Sequence, residues 1–457
     1  MDSAASEQAL KIARQFLSDN PDIETIEVML TDLNGCARGK WIPREELESV
    51  CQGCLKITLT SVTPDIWGRD VPAMCEATGD GDGVCEPIIE SLKRIPWLKR
   101  PTAQLFLRLT ENDKPCGHDP RVVLEKIVAQ FAERKLTPVM APELEFFLFR
   151  QERDSNGTPQ IPPTRINGDN TTGGQLYSTE LLADHADMLH EIRDVCQQMD
   201  VPLTALGKEL SAGQWELNLN HVSCPLQAAD HAQTLKRVIK AIAKKYGYIA
   251  SFMAKPFAHL DGNGFHTHVS VLDEAGNNIF DDGTERGTDA LRYAIGGLAD
   301  SMADTFLIFA PHLNSYRRLK IGSHAPKAPT WGYENRYVSM RIPNGDNKAR
   351  RIEYRLGGAD ANAYLLLAAL LAGILHGIDN KIDPGEPCKD KDTAENSTAV
   401  LPQNWYEALS VFEQSGYIRD KLGEEFQQAY SAVKRVEQAE FDAIISKQEY
   451  DAYLVSS

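Results

Sequence analysis

The chain has 457 residues, of which 42% are hydrophobic and 25% charged, and its formal net charge is −17 at pH 7. This composition is typical of a globular protein, and the length allows two or three domains. The negative charge argues against non-specific binding to nucleic acids and against docking on anionic membranes, so we expect neither partner.

The first part of the chain predicts a helix followed by a small β-rich region. Residues 1–21 predict an amphipathic helix and lack the apolar core of a signal peptide. Residues 22–113 predict strands at 26–32, 55–60 and 104–110, with turns at 33–40 and 79–83. The nine cysteines do not predict a disulfide framework, and the lone Cys51-x-x-Cys54 pair favours ordinary thiols over a redox or zinc site.

Residues 114–457 predict a larger α+β region. Asp119 and Pro120 are typical of a helix start, and we expect that helix to run to about residue 135. The apolar run Ala363–Leu375 is too short to cross a bilayer and predicts a buried helix. Further helices are expected at 179–199, 225–246, 289–309 and 361–378, and strands at 139–149, 216–220, 249–255 and 266–272.

Two strand segments carry paired polar residues. Glu143 and Glu145 lie two apart, so on a strand they share a face and are about 7 Å apart. His266 and His268 repeat this spacing. Salt-bridge partners and hydrogen-bonded structural histidines are the alternatives to a site, but two acids on a face with Phe147 do not suit a solvated surface.

The segment Lys348–Leu356, KARRIEYRL, places Arg351, Glu353 and Arg355 on one face of a strand. An exposed face with chance charges is the simpler interpretation. An apolar helix follows within about ten residues, however, and a carboxylate buried there needs pairing or coordination. The segment is compatible with an anion or metal site.

Together these segments, with Glu209 and Glu216, supply glutamates and histidines without cysteine. Such donors suit Mg²⁺ or Mn²⁺ better than zinc. Nearby arginines suit phosphate and carboxylate groups, and acids that hold a divalent metal beside arginines describe a phosphoryl-transfer site. Neither a Walker A sequence nor a kinase motif set is present.

From about Ile23 to the C-terminus the chain resembles the glutamine synthetase family. The motifs that carry the resemblance are APELEFFLF (141–149), KELSAGQWEL (208–217), NGFHTHVS (263–270), NSYRRL (314–319), APKAPTWGYENR (325–336), RIP (341–343), KARRIEYR (348–355) and ADANAYLLLAALLAG (359–373).

This resemblance implies an N-terminal β-grasp domain and a catalytic domain with a curved antiparallel sheet and packed helices. It implies a homo-oligomer of two hexameric rings, a dodecamer, in which active sites lie between neighbouring subunits. It also implies ATP as co-substrate and two or three Mg²⁺ or Mn²⁺ ions per active site. The domain boundaries expected are 1–21 for the N-terminal helix, 22–113 for the β-grasp domain and 114–457 for the catalytic domain.

The resemblance also assigns roles at matching positions. Glu145, Glu209 and Glu216 would hold one metal, and Glu143, His266 and Glu353 the second. Gly262 and Arg318 would bind glutamate, with Arg336 and Arg355 near its γ-carboxylate and the transferred phosphate. The positions that match the nucleotide side are His268, Ser270, Arg341, Lys348 and Arg351.

The chain departs from the usual family pattern at three places, two of which concern the acceptor and one of which concerns regulation. Ammonia-using members carry a glutamate at the centre of a PGxEAP motif, whereas this chain has IGSHAP (321–326) with His324 in that place. The segment Val62–Asp70 differs from the usual DGSS loop, and Asp65 is its counterpart of the ammonium-site aspartate. The segment 379–400 contains no tyrosine, so adenylylation at the usual site is not expected.

These departures, with TDLNGCARGKWIP (31–43), resemble the γ-glutamylpolyamine synthetase branch. The function expected is an ATP-dependent γ-glutamyl-amine ligase in the cytoplasm that activates glutamate as γ-glutamyl phosphate and transfers it to a polyamine in polyamine catabolism. Three alternatives stay open: a glutamine synthetase that uses ammonia, a ligase for a monoamine such as ethanolamine, and a non-catalytic structural relative.

Overall fold

The computed structural model describes residues 3–164, 175–319, 325–326, 328–345, 347–391 and 401–456. Its first sheet has six strands, with β1 (Thr25–Thr31) and β5 (Thr102–Glu111) parallel in the centre. The other strands are antiparallel to their neighbours: β2 (Ala37–Pro43), β3 (Lys56–Thr58), β4 (Asp82–Arg94) and β6 (Lys114–Pro115). The order is β2-β1-β5-β4-β3, with β6 on β5.

Two helices pack on this sheet. The buried face of α1 (Ser3–Asp19) presents Ala9 and Ala13, and α2 (Leu47–Cys51) presents Leu47 and Val50, to one apolar cluster with β1, β4 and β5. A short α3 (Pro72–Thr78) follows. A mixed sheet with parallel central strands and helices on one face is the arrangement expected of a β-grasp.

The second sheet has eight strands and is antiparallel except for one parallel pair. The strands are β7 (Thr137–Arg150), β8 (Leu203–Lys208), β9 (Gln214–Leu219), β10 (Tyr248–Ser251), β11 (Phe265–Leu272), β12 (Trp331–Tyr333), β13 (Met340–Ile342) and β14 (Ile352–Tyr354). Their order is β12-β13-β14-β11-β7-β9-β8, with β10 also on β7. The parallel pair is β12 and β13. The long strand β7 therefore lies inside the sheet and pairs with three strands, β9, β10 and β11.

Helices pack against this sheet and enclose the main apolar core. The first, α4 (Pro120–Glu133), begins as the sequence predicts, because the Asp119 side chain accepts from the backbone N–H of Arg121 at 2.9 Å. The others are α5 (Thr179–Asp184), α6 (Ala186–Gln198), α7 (Pro225–Lys245), α8 (Asp289–Asp300), α9 (Met302–Phe309), α10 (Ser315–Arg318), α11 (Ala363–Asn380), α12 (Trp405–Gln414), α13 (Gly416–Leu422) and α14 (Glu424–Asp442). The last helix, α15 (Lys447–Tyr453), has no buried residue. The α+β class is confirmed.

The apolar helix α11 is the buried helix that the sequence predicts. Within the described ranges it alone is long and apolar enough to span a bilayer, but 78% of that window is buried inside the protein. It crosses α8 where a Cβ on Gly377 would come within 1.9 Å of the Tyr293 carbonyl oxygen. Glycine there lets two core helices touch at the backbone.

Several predicted elements differ from the structure. The predicted turn at 33–40 is wrong in its second half, since residues 37–40 pair with β1 as an edge strand. The helices predicted at 179–199 and 289–309 are each broken in two, at His185 and at Ser301. The strand predicted at 249–255 ends at Ser251, because Lys255 leaves the sheet to pair its backbone with the Asn314 amide.

Candidate active site

The register of four neighbouring strands gathers the polar residues on one face of the second sheet. His266 of β11 lies opposite Glu143 of β7, and Glu145 of β7 lies opposite Glu216 of β9. His268 of β11 lies opposite Glu353 of β14. Directly opposed side chains are about 5 Å apart. The sheet pairing itself therefore brings together acids that are distant in sequence.

These residues line a cleft of about 790 Å³. The cleft brings together thirteen of the site residues predicted from the sequence. They are Glu143, Glu145, Glu209, Glu216, Gly262, His266, His268, Arg318, Arg336, Arg341, Arg351, Glu353 and Arg355.

Two groups of three donors are close enough to hold a metal ion, with ligand atoms within 4.8 Å of one another. One is Glu143, His268 and Glu353, and the other is Glu143, Glu216 and His266. Glu143 belongs to both groups, so it lies between the two candidate positions. The division differs from the expected one, in which His266 accompanied Glu353.

A hydrogen-bonded chain sets the orientation of His268. Its Nδ1 accepts from Arg351 Nε at 3.0 Å, and its Nε2 lies 2.7 Å from Glu143 Oε1. Since Nδ1 is an acceptor here, Nε2 carries the proton and donates it to Glu143. Arg351 therefore acts on the acid cluster through the imidazole, and a metal held by His268 would displace that proton.

Three glutamates of the cluster, Glu143, Glu209 and Glu216, differ in the direction of their pKa shifts. Burial raises the pKa of Glu216 to about 8, and the charges of Glu143, Glu145 and Glu209 add to the rise. The pKa of Glu209 is also raised, by burial and by Glu145. At Glu143, burial is outweighed by hydrogen bonds from His266 and His268, so its pKa is lowered. The cluster thus combines an ionised carboxylate, Glu143, with two others, Glu209 and Glu216, whose charged forms a bound cation would stabilise.

The opposite side of the cleft is cationic. Glu353 accepts from Arg341 at 2.7 Å and forms a close ion pair with Arg355. Burial raises the pKa of Glu353, but Arg355 first and then the two histidines lower it to about 2. Arg318 is almost fully buried and donates to the Leu356 carbonyl oxygen at 2.8 Å. The three guanidinium groups are held in place by their own chain.

These residues fit divalent metals and an anionic ligand. Carboxylate oxygens with one or two imidazoles form a donor set for Mg²⁺ or Mn²⁺. On the cationic side, Nε of Arg341 and Nε of Arg355 are buried N–H groups without a hydrogen-bond partner among the described residues. A buried donor without a partner is costly, so a phosphate or carboxylate oxygen would stabilise both.

Four predicted site residues stand outside this cleft. Asp65 is fully buried, and its carboxylate accepts from the backbone N–H groups of Trp67 and Arg69 at 2.9 Å and from Arg69 Nε at 2.7 Å. Within one chain this carboxylate holds its own loop. Ser270 and Lys348 do not line the cleft, and His324 lies outside the described residues. Their predicted roles stay predictions.

The structure adds residues that the sequence did not single out. Gln214 Nε2 donates to Gly262 O at 3.0 Å and to Glu145 Oε2 at 3.3 Å, so it joins the acid cluster to the glycine. Glu334 pairs with Arg341 at 3.2 Å. Both had a sequence signal, since Gln214 shares a strand face with Glu216 and Glu334 lies in the motif that contains Arg336.

Comparisons with known proteins identify the class. The family model for the glutamine synthetase catalytic domain matches residues 117–453. The chain is 36% identical to gamma-glutamylputrescine synthetase of Escherichia coli, over 96% of this chain and 93% of that protein. It is 30% identical to gamma-glutamylethanolamide synthetase of Streptomyces coelicolor, over 93% and 91%. A solved GmaS/ADP complex superposes with a TM-score of 0.84 at 28% identity, covering 97% of this chain and 99% of that one.

The chain therefore belongs to the glutamine synthetase family, as its motifs predicted. It is an ATP-dependent ligase that forms a carbon–nitrogen bond between glutamate and a nitrogen nucleophile.

Proposed function

We propose that this protein is a γ-glutamylpolyamine synthetase: it activates glutamate as γ-glutamyl phosphate and transfers the glutamyl group to a polyamine. The observation that carries the choice of acceptor is His324, which stands where ammonia-using members have a glutamate. The identity to the Escherichia coli gamma-glutamylputrescine synthetase over nearly the whole chain supports it.

In the proposed reaction the cleft first lowers the barrier to phosphoryl transfer. Arg318 and the Gly262 backbone would position glutamate, and Arg336 and Arg355 would offset charge on its γ-carboxylate and on the transferred phosphoryl group. A Cβ at position 262 would lie 2.7 Å from Arg318 Cγ, so glycine is required for this approach. His268, Ser270, Arg341, Lys348 and Arg351 stay the proposed nucleotide residues.

Divalent metals, held by Glu143, Glu145, Glu209, Glu216, His266 and Glu353, would supply positive charge that screens the phosphates. The amine must then lose a proton before it attacks, because an alkylamine like lysine titrates near pH 10. A neutral imidazole at His324 would accept that proton near neutral pH. It would not provide the fixed negative charge that ammonium requires, which favours a larger amine.

An assembly of rings, predicted as a dodecamer, is part of the proposal, as are the domains 1–21, 22–113 and 114–457. Six large apolar side chains near the C-terminus are exposed, and their number within twelve residues supports an interface between subunits. They are Ile444, Ile445, Tyr450, Tyr453, Leu454 and Val455.

Phosphate release from ATP with glutamate and a panel of acceptors tests the acceptor. We expect putrescine or spermine to be preferred over ammonium and ethanolamine by at least tenfold in kcat/KM, and the His324→Glu variant to gain activity with ammonium. Preference for ammonium in the unaltered protein would exclude the polyamine function. Light scattering on the same preparation tests the dodecamer.

A further inference from the structure

One rim of the catalytic cleft is apolar and exposed. Three large hydrophobic side chains line it: Leu176, Tyr177 and Leu210, which are 47%, 66% and 42% exposed. Large apolar side chains exposed singly need no explanation, but three on one rim of a functional cleft do. They stand beside Glu209 and the acid cluster.

This rim is held in place by the chain rather than left loose. The backbone N–H of Tyr177 donates to Lys208 O at 3.0 Å, and that of Leu210 donates to Glu209 Oε2 at 3.2 Å. The buried Lys208 ammonium bonds the carbonyl oxygens of Glu209 and Ser211, each at 2.6 Å, which fixes the turn after β8. The apolar surface is therefore attached directly to an acid of the cleft.

Tyr177 also has an unfavourable backbone conformation. Its φ is +57°, in the left-handed region that bulky residues rarely adopt. Strain of this kind persists where the surroundings impose it and is concentrated at ligand sites. The hydrogen bond to Lys208 O holds the Tyr177 backbone beside the cleft, and the residue lines the mouth of the cleft with an exposed aromatic ring.

We infer that Leu176, Tyr177 and Leu210 form a shelf for the methylene chain of the acceptor amine, with its nitrogen directed toward the carboxylates of the cleft. An aliphatic amine has an apolar chain and a cationic end, and the shelf beside Glu209 complements both. The inference rests on the proposed function, because ammonia has no chain to bind. The shelf would select acceptors by chain length.

The test measures KM for 1,3-diaminopropane, 1,4-diaminobutane and 1,5-diaminopentane at saturating glutamate and ATP. A shelf that covers one side of the chain should lower KM about twofold per methylene, half of the roughly fourfold expected from full burial. Leu210→Ser and Tyr177→Asn should flatten this trend, with KM for glutamate and ATP unchanged within twofold. Asparagine tolerates a positive φ, so the second variant keeps the backbone.

Ile249→Asn is the matched control, since Ile249 is 43% exposed on β10 and does not line the cleft. It should keep the chain-length trend. If both shelf variants keep the trend while diamines are turned over, the shelf is wrong and the proposed function stands. If the unaltered enzyme uses ammonium and no diamine, both are wrong. A loss of the ring assembly in the variants would instead assign this rim to a second copy of the chain and overturn the shelf.

Discussion

Single acids of the cleft lower the stability of the folded protein when they are ionised. Glu216 and Glu209 have raised pKa values because they are buried and face other carboxylates, whereas Glu353 is ionised beside two arginines. The repulsion is relieved by a proton or a bound cation. Function and stability therefore oppose each other at Glu216, as is common where a site needs a charge the fold disfavours.

We expect Glu216→Gln to stabilise the protein when a chelator has removed divalent metal. The folded-state pKa of Glu216, about 8, lies above its ordinary value of 4.5, so the native state binds the extra proton between these values. Stability contributed by this group is full at low pH and is lost as pH rises toward 8. Removing the charge should raise stability at pH 8.5 by on the order of 2 kcal/mol, because one pKa unit corresponds to about 1.4 kcal/mol and the repulsion is shared among four acids.

Thermal unfolding at pH 6 and pH 8.5 measures this effect. The exposed glutamate Glu152 offers a matched Glu→Gln control, which should change the melting temperature at neither pH. Added Mg²⁺ or Mn²⁺ should then stabilise the unaltered protein more than the Glu216→Gln variant. A chelated variant that melts below the unaltered protein at pH 8.5 would contradict the electrostatic argument.

The sequence predicted the acids of the site because their spacing of two matches the strand period. It could not predict which residues of β11 and β14 lie opposite each other, as His268 and Glu353 do, since that depends on the register between the two strands. The rim residues gave no signal, because Leu176 and Leu210 are ordinary apolar residues until the fold exposes them. Sequence spacing thus identifies residues on one strand, and pairing between strands decides which of them meet.

At the level of elements, strong patterns were predicted and short or exposed strands were not. The strand β7 has a long apolar pattern and the helix α4 has a capping residue, and both were found close to their predicted bounds. The edge strand β2 is mostly exposed, β4 contains Pro87 and a register shift, and β12 and β13 have three residues each. Such strands form because neighbouring strands pair with them. That pairing involves segments distant in sequence, so the local sequence pattern does not predict it.

The C-terminal helix α14 is joined to the turn between β1 and β2 by a buried ion pair. Lys434 and Glu437 are both fully buried and lie 2.9 Å apart. Asn34 bridges them, accepting from Lys434 at 2.6 Å and donating to Glu437 at 2.7 Å. Its amide also donates to Pro64 O at 3.4 Å, next to Asp65. The last long helix therefore positions the segment that carries Asp65.

We expect Glu437→Gln to destabilise the protein by about 3–5 kcal/mol, because it leaves the Lys434 ammonium buried without its counter-charge. Replacing both residues with methionine should recover at least half of that loss, since a buried pair is often no more stable than apolar side chains of similar volume. Differential scanning calorimetry of the single and double variants measures both effects.

A neighbouring ion pair on the same helix provides the control. Arg435 is mostly exposed and lies 2.6 Å from Glu413. Glu413→Gln should cost at most about 1 kcal/mol, as is usual for exposed pairs. If Glu437→Gln were equally mild, the buried pair would have no part in joining the helix to the N-terminal sheet.

At the scale of the whole molecule, the two sheets are joined by polar contacts. Arg237 of α7 pairs with Glu27 of β1 at 2.6 Å and donates to Gln104 of β5 at 2.7 Å. Asn362, which caps α11, donates to Asp32 O at 2.8 Å. These contacts join helices packed on the second sheet to the first sheet and its β1–β2 turn. A substitution that removes one of the charges should therefore lower the stability of both parts.

Four buried or half-buried histidines should make the folded protein less stable in acid. Burial lowers the pKa of His118, His185 and His231, and at His312 burial and the charges of Lys434 and Lys236 lower it further. The unfolded chain binds protons near pH 6.5, whereas the folded chain resists them. The stability that these groups contribute is therefore full above pH 6.5 and is lost as pH falls, by up to about 1.4 kcal/mol per pH unit for each histidine.

The pH dependence of stability of the unaltered protein does not isolate the histidines, because buried acids change stability in the opposite direction. Burial raises the pKa of Asp119 to about 6, so protonation of Asp119 stabilises the folded state as the pH falls through the same range. The difference between a variant and the unaltered protein isolates one group. We expect His118→Gln to narrow the loss of melting temperature between pH 7.5 and pH 5.5, whereas the exposed His221→Gln should leave it unchanged. A parallel pH dependence in His118→Gln and the unaltered protein would show that this histidine is protonated as readily in the folded chain as in the unfolded one.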